Sequence, residues 1–397
     1  MGAIRKTCYC EIGFLETFLS SRPTTLEPND ESILFMNNWT SLYCFISKSD
    51  LVLNISSIEF DKIKEKNEWL KMLWKKSSNG ECGLDFVGNN SFPDITNLKL
   101  SNNEDKLLNA VFLTSHDDSI CRRQSKLYGV IVLNVNLLKK CKHIFIDNGI
   151  EIPNTKIKNW DFLRNMNNLF PPLNICNSMV IVDNYLFADD IGKGGDERLK
   201  YNLEPILRAV LPEKLEDGEC FELAIFTGER KDEFSNKLSG GYGTHYNYVC
   251  SLISRLRPKL NYRICFYSKA QNDFHDRSIL TNNIWISSGH GFDIFRKSGA
   301  VDKPTTINVA FPFIQSTLLW CDGSYKNVLL KAYKICDSYI KEGINYWGGE
   351  RSNRLISNYS QSIQKKTTDN GLQSFKAGTT IDLSLLPDFG KWGTKRF

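Results

Sequence analysis

The chain reads as an α/β protein of two domains, on three observations. Apolar segments of strand length alternate with longer segments whose apolar residues recur at helical spacing, the pattern of sheets covered by helices. At 397 residues, with 41% hydrophobic and 24% charged residues, the chain is long enough to bury two or three separate cores. The alternation breaks at residues 151–172, where Glu151-Ile-Pro-Asn and Phe170-Pro171-Pro172 read as a linker around one short helix.

Residues 1–150 form the first expected domain. Cys8-Tyr-Cys10 opens a strand, and Ser32–Phe35 and Tyr43–Ile46 supply further apolar segments. From Glu59 to Lys75, the residues Phe60, Ile63, Trp69, Leu70, Leu73 and Trp74 fall near helical spacing. Then come a strand at Val111–Thr114, a helix around Ser119–Leu127 and a strand at Gly129–Leu133. The second domain, residues 173–335, is expected to run strand Met179–Phe187, helix Asp196–Val210, strand Cys220–Thr227, helix Thr244–Leu256 and strand Tyr262–Ser268. A hairpin follows, turning at Asn282-Asn283 and returning along Ile284–Ser287. Residues 336–397 are left as the end of an amphipathic C-terminal helix and a basic tail.

Composition narrows the setting. No run approaches the ~18–20 apolar residues that cross a bilayer, and Met1-Gly-Ala-Ile-Arg-Lys lacks the apolar core of a signal peptide. The twelve cysteines include no C-x2-C pair, and several (Cys176, Cys250, Cys265) sit inside apolar segments. They read as small core residues in a reducing compartment, so a cytoplasmic location is expected. Usage rich in Asn, Lys and Ile points to an AT-rich, bacterial genome. Residues 351–397 carry eight Lys/Arg against three Asp, an excess equal to the whole chain's net charge of +5. Interleaved with Tyr359, Phe375, Phe389, Trp392 and Phe397, these cations suit a nucleic-acid backbone or an anionic surface. The alternative is a segment packed onto the body with its cations solvated.

The most informative run is His275-Asp276-Arg277-Ser-Ile-Leu-Thr-Asn282, leading into Trp285-Ile-Ser-Ser288-Gly289-His290-Gly291-Phe292-Asp293. A histidine, a cation two residues on and a polar residue five further make a phosphodiester-handling half-site. The imidazole would attack phosphorus, the cation would hold phosphate oxygens and the third residue would orient the ring. This layout resembles the H-x-K-x4-D motif of the phospholipase D superfamily, with Arg277 at the lysine position and Asn282 at the aspartate position. Ser288 and Gly289 stand where that superfamily has a small pair beside the phosphate. A narrower resemblance covers residues ~170–330: the phospholipase D-like C-terminal domain of the MIT-domain proteins that bind ESCRT-III and act in cytokinesis. It rests on His275-Asp276-Arg277, Trp285, Gly289-His-Gly291-Phe292-Asp293-Ile-Phe295 and an opening strand, Val180-Ile-Val-Asp183-Asn184-Tyr185. The resemblance implies a phospholipase D-like α/β sandwich. Arginine binds phosphate through its planar fork but does not transfer protons, and asparagine does not stabilise an imidazolium as aspartate does. With no second half-site in the chain, a working enzyme would have to be a homodimer with its histidines facing.

The first domain resembles PIN-like nucleases in its strand ending in Thr114, acidic turn Ser115-His116-Asp117-Asp118, helix, and Gly129-Val130 strand. That resemblance implies carboxylates gathered from distant segments around Mg2+ or Mn2+. The matching order is Glu11, Glu59, Asp105 and Asp117 or Asp118, with Glu11 where the family has Asp. Acidic residues at helix starts also arise simply to complement the helix dipole.

Three functional classes remain. The first is a phosphate- or nucleic-acid-recognising protein, as a nuclease or phosphodiesterase component of a bacterial antiviral or toxin system; that context comes from the habits of the resembled families. The second is a catalytically silent adapter binding acidic lipid or a protein partner. The third is a structural subunit of a larger assembly.

Overall fold

The computed structural model describes residues 5–23, 30–88, 91–98, 109–145, 147–152, 157–166, 170–189, 191–228, 243–269, 277–302, 304–313, 315–338, 345–348 and 353–357. Their strands form two sheets, in accord with the expected α/β class. The first sheet holds β1 (Thr7–Cys10), β2 (Asp50–Leu53), β3 (Gly83–Phe86), β4 (Ala110–Leu113) and β5 (Ile131–Leu133). All its pairings are parallel, in the order β3-β2-β1-β4-β5. Parallel neighbours need crossovers. Helices α1 (Ile12–Ser20) and α2 (Asp30–Ile46) connect β1 to β2, and α3 (Ser57–Lys64) and α4 (Glu68–Ser78) connect β2 to β3. Helix α5 (Asp118–Tyr128) connects β4 to β5, and α6 (Val135–Lys140) follows.

Several expected elements resolve differently. The strand expected over Met179–Phe187 ends at Val182, and the helix expected over Asp196–Val210 is two helices, Gly195–Tyr201 and Leu203–Val210. The apolar runs Ser32–Phe35 and Tyr43–Ile46 belong to one helix, α2, because buried Asn38, Trp39, Leu42, Tyr43, Phe45 and Ile46 share one helical face. The stretch from Glu59 to Lys75 is two helices, because the chain breaks at Asn67, whose side chain caps α4 by accepting the Trp69 and Leu70 amides.

The second sheet comprises β6 (Asp147–Ile152), β7 (Ser178–Val182), β8 (Phe221–Gly228), β9 (Tyr262–Lys269), β10 (Arg277–Thr281), β11 (Trp285–Ser288), β12 (Thr305–Ala310) and β13 (Asn345–Gly348). Its order is β13-β9-β8-β7-β10-β11-β12-β6, with β7, β8 and β9 parallel and the other pairings antiparallel. The expected hairpin is β10–β11, with Leu280 opposite Trp285. β6, at the expected end of the first domain, pairs with β12 along its whole length.

Buried strands carry apolar residues on both faces, and β7 shows how they divide. Met179 and Ile181 pack with α7 (Phe162–Asn165), α8 (Gly195–Tyr201), α9 (Leu203–Val210) and α10 (Gly243–Leu256). Val180 and Val182 join a second core, which takes in α11 (Gln315–Ser338) and runs on through the first domain. Rings close the junction: Phe145 stacks on Phe311 at 4.3 Å between centroids, and Phe45 lies 5.1 Å from Phe145.

Candidate functional site

In the first sheet the strand order reverses between β1 and β4. Crossovers leave that point in opposite directions, and open α/β sheets place ligands at the carboxyl ends of the strands at such a reversal. Glu11 follows β1 there, and its Oε1 accepts the Thr114 hydroxyl (2.6 Å) while its Oε2 accepts the Ser115 amide (2.8 Å). Asp117 caps α5, accepting the Ser119 hydroxyl (2.6 Å) and the Ile120 amide (2.9 Å). Those two bonds, the hydroxyl first, hold its carboxyl below the usual range. Asp118 accepts the Asn134 amide group (2.9 Å) and pairs with Lys140 (2.8 Å). Burial pushes the Cys121 thiol up to about 12, and the charges of Asp118, Asp117 and Glu11 add to that effect.

Oxygen donors of this kind match the preference of Mg2+ or Mn2+. Yet each described carboxylate is engaged by its own surroundings. Glu59 completes a capping box with Ser56, whose hydroxyl and amide lower its pKa. Asp105 lies outside the described residues. Among the described residues, no three His, Cys, Asp or Glu side chains form a cation-holding group.

The second candidate site lies at the carboxyl end of β7. Ser278 faces Val182 and Arg277 faces Ser288, so β10 begins where β7 ends. Asp183, fully buried, ties this corner together. Its Oδ1 accepts the amides of Tyr185 (2.8 Å) and Leu186 (3.1 Å), and its Oδ2 accepts that of Phe292 (2.7 Å). Burial raises the Asp183 pKa, against the pull of those amides and of the Arg277 charge. Gly291 is required here: its φ is +94°, and a Cβ would stand 3.0 Å from Asp183 Oδ2.

Arg277 Nη1 donates to the Gly289 carbonyl (3.0 Å), and the guanidinium lies 5.2 Å from the centroid of the Tyr185 ring. Ser288 donates to the Gly291 carbonyl (2.5 Å), so its buried hydroxyl shapes the loop, while Gly289 and His290 are exposed. His275 lies outside the described residues.

Asn282 sits beyond the opposite end of β10 from Arg277. Its side chain is fully buried, accepts the Asn177 amide (3.0 Å) and donates to the Gly129 carbonyl (2.9 Å). The structure thus gathers Arg277, Ser288 and Gly289 at one corner and places Asn282 at the seam between the domains. The sequence assigned no role to Tyr185. An aromatic residue just after the polar pair Asp183-Asn184 that ends an apolar strand was the available signal.

The described residues form an α/β fold with a parallel five-stranded sheet and a mixed eight-stranded sheet. No protein-family model matches the chain, and no curated protein matches it. No helix among the described residues is long and apolar enough to cross a membrane.

Proposed function

We propose that this protein recognises phosphate groups of nucleic acids, with Arg277 as the phosphate-holding cation of a phospholipase D-like second domain. The observation that carries this reading is the corner at β7. A planar guanidinium with five N–H donors is mounted at the end of parallel strands, beside an exposed glycine loop and an exposed tyrosine. In this reading His275 is the candidate nucleophile two residues before Arg277, Ser288 and Gly289 shape the phosphate cradle, and Asn282 acts at the domain seam. The alternative within the same fold is a silent adapter that binds an acidic lipid or protein partner at this corner.

A second reading concerns the PIN-like first domain. Its support is the position of Glu11, Asp117 and Asp118 at the reversal of strand order. In that reading the carboxylates expected from the sequence, Glu11, Glu59, Asp105 and Asp117, would hold Mg2+ or Mn2+ against a phosphodiester.

Labelled RNA, single-stranded DNA and duplex DNA, each with Mn2+ or with EDTA, separate the readings. Arg277→Ala should weaken oligonucleotide binding by ~1.5–3 kcal/mol, the range for hydrogen bonds to charged groups. Unchanged binding in a folded variant removes the phosphate site. Cleavage that persists in EDTA and disappears in His275→Ala supports the histidine site. Cleavage that needs Mn2+ and disappears in Asp117→Ala supports the carboxylate site, and binding without cleavage supports the adapter.

A further inference from the structure

Residues 119–145, which run from α5 through β5 and α6, contain six Lys/Arg and no Asp or Glu, an excess larger than the net charge of +5 on the whole chain. All six, Arg122, Arg123, Lys126, Lys139, Lys140 and Lys142, are exposed.

Helical spacing puts these charges in lines. Arg122, Arg123 and Lys126 share the outward face of α5 with Ser119, while Cys121, Gln124, Ser125 and Tyr128 are buried. Lys139 and Lys140 stand one turn beyond exposed Asn136 on α6, and Lys142 follows that helix. The two helices are tied together through Asp118, which pairs with Lys140 (2.8 Å) and accepts from Asn134 (2.9 Å), the residue that caps α6. Arg122 acts across the same junction, where its charge opposes the rise that burial imposes on the Cys141 thiol. Among the described residues, Lys140 is the only one of the six cations in an ion pair. Carboxylates flank the stretch: Asp117 and Asp118 at the start of α5, and Glu216, whose amide donates to the Leu127 carbonyl, at its finish.

Cations in the last turn of a helix complement its carbonyl end, which accounts for Lys126, Lys139 and Lys140. Arg122 and Arg123 stand in mid-helix, where that reason is absent. Arg122 and Lys126 are also one turn apart, and like charges at that spacing weaken a helix. We infer that the outward faces of α5 and α6 form a second nucleic-acid surface, a track of cations for the phosphate backbone; the inference rests on the phosphate-binding reading of Arg277 for the class of ligand alone. A membrane would be met by cations with apolar side chains beside them to enter the lipid. None of the exposed large apolar side chains among the described residues lies on α5 or α6. Cations repeated at one helical turn, about 5.4 Å along the axis, suit a linear polyanion whose charges recur at short, regular intervals.

The test measures binding by the full chain of labelled oligothymidylate, labelled mixed-sequence duplex DNA, and phosphatidylcholine/phosphatidylserine vesicles over a salt series. Replacing Arg122, Arg123 and Lys126 together by Ala should flatten the log–log salt slope by about two units on the single strand and about 2.7 on the duplex. Arg122→Ala alone should flatten it by about 0.7 on the single strand, which decides the matter if circular dichroism shows that the triple variant misfolds. As a control, Lys62→Ala, Lys66→Ala and Lys75→Ala together remove three exposed cations at α3 and α4 and should leave the slope unchanged. An unchanged slope in the folded α5 variants, or equal flattening in the control, overturns the track. Weaker binding in Arg277→Ala with none in the α5 variants removes the track and keeps the phosphate site, and the converse keeps the track and removes that site. Failure to bind either nucleic acid, or vesicle binding in their stead, overturns both.

Discussion

At the scale of single residues, one polar side chain can hold chains together or handle substrate, and its partners decide which. Asn282 is surrounded on both sides: it accepts from Asn177 and donates to Gly129, and neighbouring Asn283 donates to the Ile175 carbonyl (2.7 Å). An aspartate at position 282 would match the phospholipase D pattern more closely, yet it would set a carboxylate oxygen against the Gly129 carbonyl. Asn282→Asp should therefore cost at least about 2 kcal/mol, since it loses a buried donor and buries a charge. It should also bring no gain in phosphodiester cleavage. Urea denaturation and a cleavage assay check the two halves, and a variant as stable as wild type would show that the amide donor is dispensable. The i, i+5 spacing of Arg277 and Asn282 was legible in the sequence. Its consequence was not, because five residues of extended strand carry two side chains roughly 16 Å apart. Which end faces the candidate site and which faces the other domain depends on β7 and on Gly129, both remote in sequence.

At the scale of elements, the expected strands Cys220–Thr227 and Tyr262–Ser268 and the helix Thr244–Leu256 stand close to where periodicity put them. The expected strand Met179–Phe187 instead ends at Val182, and the expected helix Asp196–Val210 is two helices that meet at Asn202. The first domain was less legible in α2, whose apolar face reads as two separate runs until Trp39 and Leu42 are placed between them. The α5–β5 connection shows how a turn residue serves two levels at once. Asp117 caps the start of α5, and Gly129 ends it in the left-handed region with φ 62°. A Cβ at Gly129 would lie 2.4 Å from the Cys176 carbonyl carbon and 2.7 Å from the Asn177 nitrogen. Those atoms are backbone of the second domain and cannot swing aside. Gly129→Ala should thus lose about 1–2 kcal/mol for the left-handed conformation and about 1–3 kcal/mol more for overpacking. Thermal unfolding measures the sum. A loss under 1 kcal/mol would mean that the domains separate slightly at little cost, and hydrogen exchange at Asn177 would then rise.

At the scale of the whole molecule, the two sheets share one seam, and the basic tail begins against the second sheet. Asn353 donates to the carbonyls of Met179 and Glu222, and Arg354 pairs with Glu219 (3.3 Å) and Glu222 (3.2 Å). Of the eight tail cations, Arg354 therefore belongs to the core of the second domain, and the tail residues from 358 onward lie outside the described residues. Charge counting exposed the excess of cations but not this pairing, because Glu219 and Glu222 are more than 130 positions away.

Lys6 is a cation of the seam itself. Fully buried, it donates to the Asn282 carbonyl (2.5 Å) and to Asn283 Oδ1 (3.3 Å) and lies 4.7 Å from the Phe313 ring centroid. Burial pulls its pKa from 10.5 down to about 7. Between about pH 7 and 10.5 the unfolded chain binds a proton that the folded chain has released, so Lys6 makes stability rise with pH across that window. Below pH 7 the burial penalty is present in full. Buried thiols such as Cys8 and Cys10, raised by desolvation, act in the opposite sense once the unfolded thiols ionise. Comparing wild type with Lys6→Met cancels their contribution. The stability difference should shift towards wild type as pH climbs from 7 towards 9. A difference that stays flat would show that Lys6 keeps its proton, held by the two asparagine oxygens and the face of Phe313.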